Sequence, residues 1–192
     1  GGGEDTMRSR SLLFLGLGIA AADAYGQRVP VIVPENGLIG LNVPLTGPRV
    51  GSASTRTTHP HFISCLNAAL STIGLNHDIV LPYRFKTKGE MLAEADSDLL
   101  RQIMPLSMSC SHPEQSRWEG ETPGQHCGYC LPCMIRRAAV VHAGLTEFDA
   151  QYTHDIVGSA GSLTGAKARD GRAVRMALER LRRQGSTRDV FA

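Results

Sequence analysis

Along the chain, apolar and polar positions alternate between helix-like and strand-like patterns. The first is a nearly unbroken apolar stretch over 12–22, from Leu12 through Phe14 and Ile19 to Ala22. Ser9 or Ser11 suits its start and Gly26 its end, so a helix is expected over 8–25. Met7-Arg8-Ser9-Arg10 before it and Ala22-Asp23-Ala24 at its end also imitate a secretory leader. The cysteine pattern described below fits a reducing compartment and favours the helix. Val29-Pro30-Val31-Ile32-Val33-Pro34 follows, a short run rich in β-branched residues that predicts a buried strand. A helix followed by a continuous apolar strand is the pattern of an α/β parallel sheet. Ligands of such sheets collect beyond the carboxyl ends of the strands, where Glu35, Asn36 and Gly37 stand.

Residues 38–60 carry six glycines and prolines that break every period, which predicts a long functional loop. Its second half, Gly51-Ser52-Ala53-Ser54-Thr55-Arg56-Thr57-Thr58, is dense in hydroxyls around one arginine. A helix over 61–73 stopped by Gly74 and a strand near 79–82 come next. Thr87 and Glu90 have the spacing of a capping box, and a further helix is expected over 95–103 after a break near Asp96-Ser97. A helix over 134–143 is closed by Gly144. Residues 158–171 read as a Gly/Ser-rich linker before a basic helix over 172–183, with Val174, Ala177, Leu178 and Leu181 turned inward.

Composition narrows the function classes. With 192 residues, 42% of them hydrophobic, the chain can build a core and is no disordered tail. A net charge of +2 and an aromatic content of 5% give no ground for nucleic acid as the main partner. No apolar run reaches the roughly 18 residues of a membrane span.

The five cysteines change the picture most. Cys127, Cys130 and Cys133 form C-x2-C-x2-C, too crowded for three separate disulfides, and the total is odd. Clustered thiols of this kind read as metal ligands in the cytosol. Cys110 supplies a fourth ligand across a 16-residue loop. Zinc takes four thiolates tetrahedrally and leaves no open position, so the expected site is structural. Two alternatives stay open: His112 or His126, the latter the nearer in sequence, replaces one cysteine, or the three spaced cysteines begin an iron–sulfur site. Cys65, in an apolar helix, is expected to be a buried small hydrophobe.

These residues carry a resemblance. Ser109-Cys110 followed by His126-Cys127-Gly128-Tyr129-Cys130-Leu131-Pro132-Cys133-Met134-Ile135-Arg136-Arg137 resembles the zinc-binding tail of the cyano-deazaguanine synthase (QueC-like) family. Arg8-Ser9-Arg10-Ser11-Leu12-Leu13-Phe14-Leu15 is similar to a helix of that family. The text from Val33-Pro34-Glu35-Asn36-Gly37 to Thr57-Thr58-His59-Pro60, with Pro82-Tyr83-Arg84-Phe85-Lys86-Thr87-Lys88-Gly89-Glu90-Met91, is closest to the QatC-type branch of bacterial anti-phage systems. The likeness covers residues 7–150.

The resemblance implies an adenine nucleotide α-hydrolase-like fold (Rossmann-like, of the PP-loop ATPase kind). Residues 7–106 would be the carboxyl-terminal part of the nucleotide-activating domain, 107–150 the zinc knuckle and its helix, and 158–192 the linker and basic helix. It implies ATP with Mg2+, a deazaguanine substrate and, in the defence branch, conjugation to a protein encoded in the same operon. The family's pyrophosphate loop follows a first strand. Gly1-Gly2-Gly3-Glu4-Asp5-Thr6 imitates it with no strand before it, so the chain reads as the later part of a longer protein, inactive on its own. Glu35 and Asn36 would meet the guanidine-like edge of the substrate, or simply form a turn. Ser54, Thr55, Arg56 and Thr57 would hold phosphate or carboxylate, or form a surface loop, and Lys86 and Lys88 would approach the triphosphate. Arg136 and Arg137 would neutralise the thiolates. A second function class stays open: a non-enzymatic, zinc-stabilised module that uses 172–188 on nucleic acid or a partner protein.

Overall fold

In the computed structural model, residues 9–38, 57–118, 124–155 and 163–184 are described. The chain is α/β, and it divides between Lys86 and Thr87 into two compact units.

The first unit opens with α1 (Ser9–Tyr25), which Gly26 ends at φ +147 by bonding its N–H to the Ala22 carbonyl. Only one stripe of α1 is covered, Leu15, Ile19 and Ala22, at the three- and four-residue intervals of a single helix face. No helix among the described residues is long and apolar enough to cross a membrane. Strands β1 (Val31–Ile32) and β2 (Ile79–Val80) pair in parallel, Val31 opposite Ile79. The strand is shorter than the expected 29–34 because Pro30 and Pro34 have no N–H to give to a ladder. Between the strands runs the crossover helix α2 (Pro60–Thr72). Pro60 occupies its first turn, where the missing N–H costs nothing. Gly74, at φ +81, closes it, with the Leu75 N–H reaching the Leu70 carbonyl at 2.9 Å. His77 is buried, one ring nitrogen 3.0 Å from the Val29 carbonyl and the other 3.2 Å from Asp23 Oδ1, so it pins the end of α1 to the strand.

The second unit is helical. Helix α3 (Lys88–Glu94) begins with the expected capping box: Thr87 Oγ1 accepts from the Glu90 N–H, and Glu90 Oε2 accepts from the Thr87 N–H. Helix α4 (Asp98–Ile103) starts after the expected break, capped by Ser97. Helix α5 (Gln115–Trp118) is a single turn. Helix α6 (Leu131–His142) is closed by Gly144 and packs along α3 so tightly that a Cβ on Gly89 would lie 2.8 Å from the His142 ring. That packing groups residues 88–106 with the knuckle rather than with the strands. Met104, Val140 and Leu145 form the core, with Leu92, Leu100 and Phe148 against it. The last helix, α7 (Arg169–Gln184), starts earlier than expected.

Candidate metal centre

The centre grows from the chain between Ser109 and Cys133. Gly128 holds φ +82, and a Cβ there would run into the backbone carbonyl of His154. Only glycine lets the chain turn back between Cys127 and Cys130 at that place. Cys130 is the N-cap of α6 and Cys133 sits in its first turn, with Pro132 between them. The C-x2-C-x2-C spacing thus becomes a turn that runs into a helix.

Cys127, Cys130 and Cys133 are almost completely buried, and Cys110 is half-buried beside them. Sγ–Sγ distances are 3.3 Å for Cys130 and Cys133, 3.9 Å for Cys110 and Cys130, and 4.0 Å for Cys127 and Cys133. Backbone amides turn toward the sulfurs. Cys110 Sγ accepts from the N–H of His112 (3.2 Å) and of Cys127 (3.3 Å), and Cys130 Sγ accepts from the N–H of Ser111 (3.5 Å). Such donors favour thiolate over thiol. Without a cation, the thiols crowd one another. Hydrogen bonds from Cys127 and Cys133 push the Cys130 thiol far down, while sharing a proton with Cys130 pushes Cys127 up to about 12 and contact with Cys127 drives Cys133 up.

Cys110, His112, Cys127 and Cys130 have ligand atoms all within 4.8 Å of one another and can hold a metal ion. His112 Nδ1 lies 3.9 Å from Cys127 Sγ. The histidine beside the sulfurs is therefore His112, not His126. His126 is buried and its Nε2 accepts from the Ser109 N–H at 3.1 Å, while its Nδ1 has no hydrogen-bond partner. Burial, then the nearby Arg136, lowers its pKa, so the ring stays neutral. It holds the Ser109 backbone in place beside Cys110.

Arg136 does not face the sulfurs. It is buried, its Nε donates to Asp149 Oδ1 at 2.7 Å, and its other nitrogens donate to the Met104 carbonyl (2.7 Å) and to Ser107 Oγ (2.7 Å). Asp149 also accepts from the Tyr152 hydroxyl at 2.7 Å, and burial followed by that bond raises the Tyr152 pKa. Arg137 pairs with Asp155 at 2.6 Å. Both arginines tie the chain after the knuckle back to it, and sequence gave no sign of partners so far along. Asp170 is a further residue that the spacing does not reveal: its Oδ2 accepts from the Leu131 N–H at 3.0 Å, at the start of α6.

The other candidates are scattered. Asn36 Oδ1 accepts from the Leu38 N–H at 3.0 Å, so it forms a turn, and Glu35 beside it is half-buried. Gly37 gives its N–H to the Lys86 carbonyl, and a Cβ on it would lie 2.6 Å from the Arg84 carbonyl, so residues 35–37 run beside 82–86. Thr57 Oγ1 is 2.7 Å from Ser11 Oγ. Ser54, Thr55 and Arg56 lie outside the described residues. Lys86 belongs to the first unit, its Nζ 5.8 Å from the Tyr83 ring centroid. Lys88 belongs to the second, where burial and then Arg136 lower its pKa. Cys65 is exposed, against expectation. The covered face of α2 carries Ile63 and Leu70, and Cys65 points the other way, with its Sγ 3.7 Å from His61 Nε2.

Compared with sequence families, with curated proteins and with solved structures, the chain gives no match.

Proposed function

We propose that the chain is the zinc-bearing part of an ATP-dependent, QueC-like deazaguanine-modifying enzyme of the QatC type, acting in anti-phage defence. The sulfur cluster is the observation that carries this reading. A tetrahedron of thiolates about 2.3 Å from zinc has edges of about 3.8 Å, and three of its six edges, Cys130–Cys133, Cys110–Cys130 and Cys127–Cys133, at 3.3, 3.9 and 4.0 Å, lie on either side of that value. Cys110, Cys127, Cys130 and Cys133 would hold the ion, with His112 the competing fourth donor. Closed by four protein ligands, the ion contributes folding energy and no chemistry.

The chemistry follows from the resemblance. A carboxylate is a poor electrophile until AMP becomes its leaving group. ATP with Mg2+ would convert the deazaguanine carboxylate into an acyl-adenylate and release pyrophosphate. Ammonia, or an amine of a partner protein, would then displace AMP to give an amide, and a second activation of the simple amide would give the nitrile. The fold required is the adenine nucleotide α-hydrolase-like one, with the nucleotide loop supplied from outside these residues. The pairing of β1 with β2 and the crossover α2 are compatible with a part of such a sheet. Glu35, at a strand end beside residues 82–86, would accept two parallel N–H bonds from the deazaguanine edge. A thiolate site of this kind persists in a reducing cytoplasm.

Elemental analysis of the purified chain is expected to give one zinc per chain, and calorimetric titration with a carboxy-deazaguanine to give binding that Glu35→Gln weakens. A chain free of zinc would overturn the metal site. A zinc-loaded chain that gives no heat with the carboxy-deazaguanine would overturn the substrate and leave the metal site standing.

A further inference from the structure

We propose that the outward face of α7 binds the phosphodiester backbone of nucleic acid. Net charge hides this surface. Residues 163–184 contain seven basic and two acidic side chains, and the rest of the chain has more acidic than basic residues. The structure then sorts those charges by direction. Asp170 is partly buried and turned inward, where it accepts from the Leu131 N–H at 3.0 Å. Ala177 is buried and Val174 half-buried on the same side. Arg169, Arg172, Arg175, Arg182 and Arg183 are all exposed, with Glu179 the single acid among them.

At about 100° of rotation and 1.5 Å of rise per residue, these five arginines occupy one arc of roughly 140° and extend over about 21 Å of helix axis. That length matches about six phosphates of one strand. Every basic residue from 169 to 184 is arginine, none lysine, and the planar guanidinium grips phosphate through two parallel hydrogen bonds. Two of them make local contacts that leave other N–H groups outward. Arg172 donates to the Gly165 carbonyl at 3.1 Å, and Arg169 lies 3.7 Å from Asp170.

A lipid surface fits less well. An amphipathic helix binds a bilayer through its apolar face, and here that face is taken by the helix's own unit. Met176 and Leu178 are exposed at the arc and its border, too little apolar surface to anchor a helix in lipid.

The test uses the whole zinc-loaded chain and a fluorescein-labelled DNA duplex of mixed sequence, followed by anisotropy, with the single strand as a second arm. Binding is expected to weaken about 10²–10³-fold between about 50 mM and 200 mM salt, the slope for about five phosphate contacts. The combined charge reversal R172E, R175E and R182E is expected to lower affinity at least tenfold and to flatten the salt slope by about 3. R117E, which reverses an exposed arginine on α5, is expected to leave both unchanged. Unaltered zinc content of the triple variant shows that its fold is intact. Loss of binding to neither DNA form on reversal, binding insensitive to salt, or binding only to phosphatidylglycerol vesicles or to polyglutamate would each overturn the proposal. Should the triple variant lose its zinc, R175E alone carries the test, with a salt slope expected to flatten by about 1 and an unchanged slope counting against the surface.

Discussion

The two units solve the problem of a small core in opposite ways. The first is rich in apolar side chains but covers few of them: Leu12, Leu13, Phe14 and Leu17 on α1, Ile32 on β1 and Val80 on β2 are all exposed. Parallel sheets are usually covered on both faces, and the described residues of this unit do not provide that cover. The second unit spends polar chemistry instead. Four sulfurs and a buried Arg136–Asp149 pair occupy places where a larger domain would put leucine and isoleucine. The difference shows that apolar content does not measure how tightly a segment is held; closure does. In the second unit Arg136 and Asp149 answer each other and backbone amides turn toward the sulfurs, whereas the described residues of the first unit offer its apolar groups no second surface.

The largest effect expected from this contrast is its selective loss. With zinc bound as proposed, removing it with a strong chelator would withdraw a contribution on the order of 10–16 kcal/mol, as in small zinc-binding peptides. Hydrogen exchange should then show protection vanishing over 107–142 while α1 and α2 keep theirs; equal loss in both units would break the contrast. Next comes Arg136→Met, which leaves Asp149 buried without its cation and is expected to cost about 3–5 kcal/mol, read by denaturant unfolding of the second unit. A change within about 1 kcal/mol would mean that Asp149 and Tyr152 relax to solvent. Gly128→Ala forces a side chain into the His154 carbonyl at a positive φ, a strain of at least about 1–3 kcal/mol, and should appear as weaker zinc retention against a chromophoric chelator. The choice of fourth donor is a finer question. His112→Ala is expected to alter zinc affinity by no more than about 10–100-fold, the range of a supporting group. Cys133→Ser should cost more and shift the absorption of the cobalt-substituted site; the reverse order would make His112 the ligand. Smallest of all, Leu17→Gln on the exposed side of α1 should change stability by about 0.5 kcal/mol or less. Leu15→Ala, on the covered side, should cost about 2–5 kcal/mol.

Local chemistry is what the sequence expressed well. Thr87 and Glu90, Gly74 and Gly144 ended or began helices because capping depends on residues a few positions apart. The cysteine turn was legible for the same reason, its ligands being three residues apart. Fourth and fifth donors were not equally legible. Adjacency pointed to His126, but its Nε2 is taken by the Ser109 amide, and it is His112 whose ligand atom groups with the sulfurs. Cys65 was misplaced because an apolar neighbourhood says nothing of which side of a helix a residue takes. The partners of Arg136 and Leu131, Asp149 and Asp170, come from chain segments joined only by folding, and no period in the sequence connects them. Glu35 and the residues near it keep the ambiguity they have in the sequence, since a turn and a recognition loop use the same side chains.

Asp170 has one more consequence. Its carboxylate lies in the first turn of α7 and also against the first amide of α6, so one negative charge faces the positive ends of two helix dipoles. A single amide in its place would therefore loosen both ends together. The arginine-bearing helix and the cysteine turn are thus fastened at one shared carboxylate.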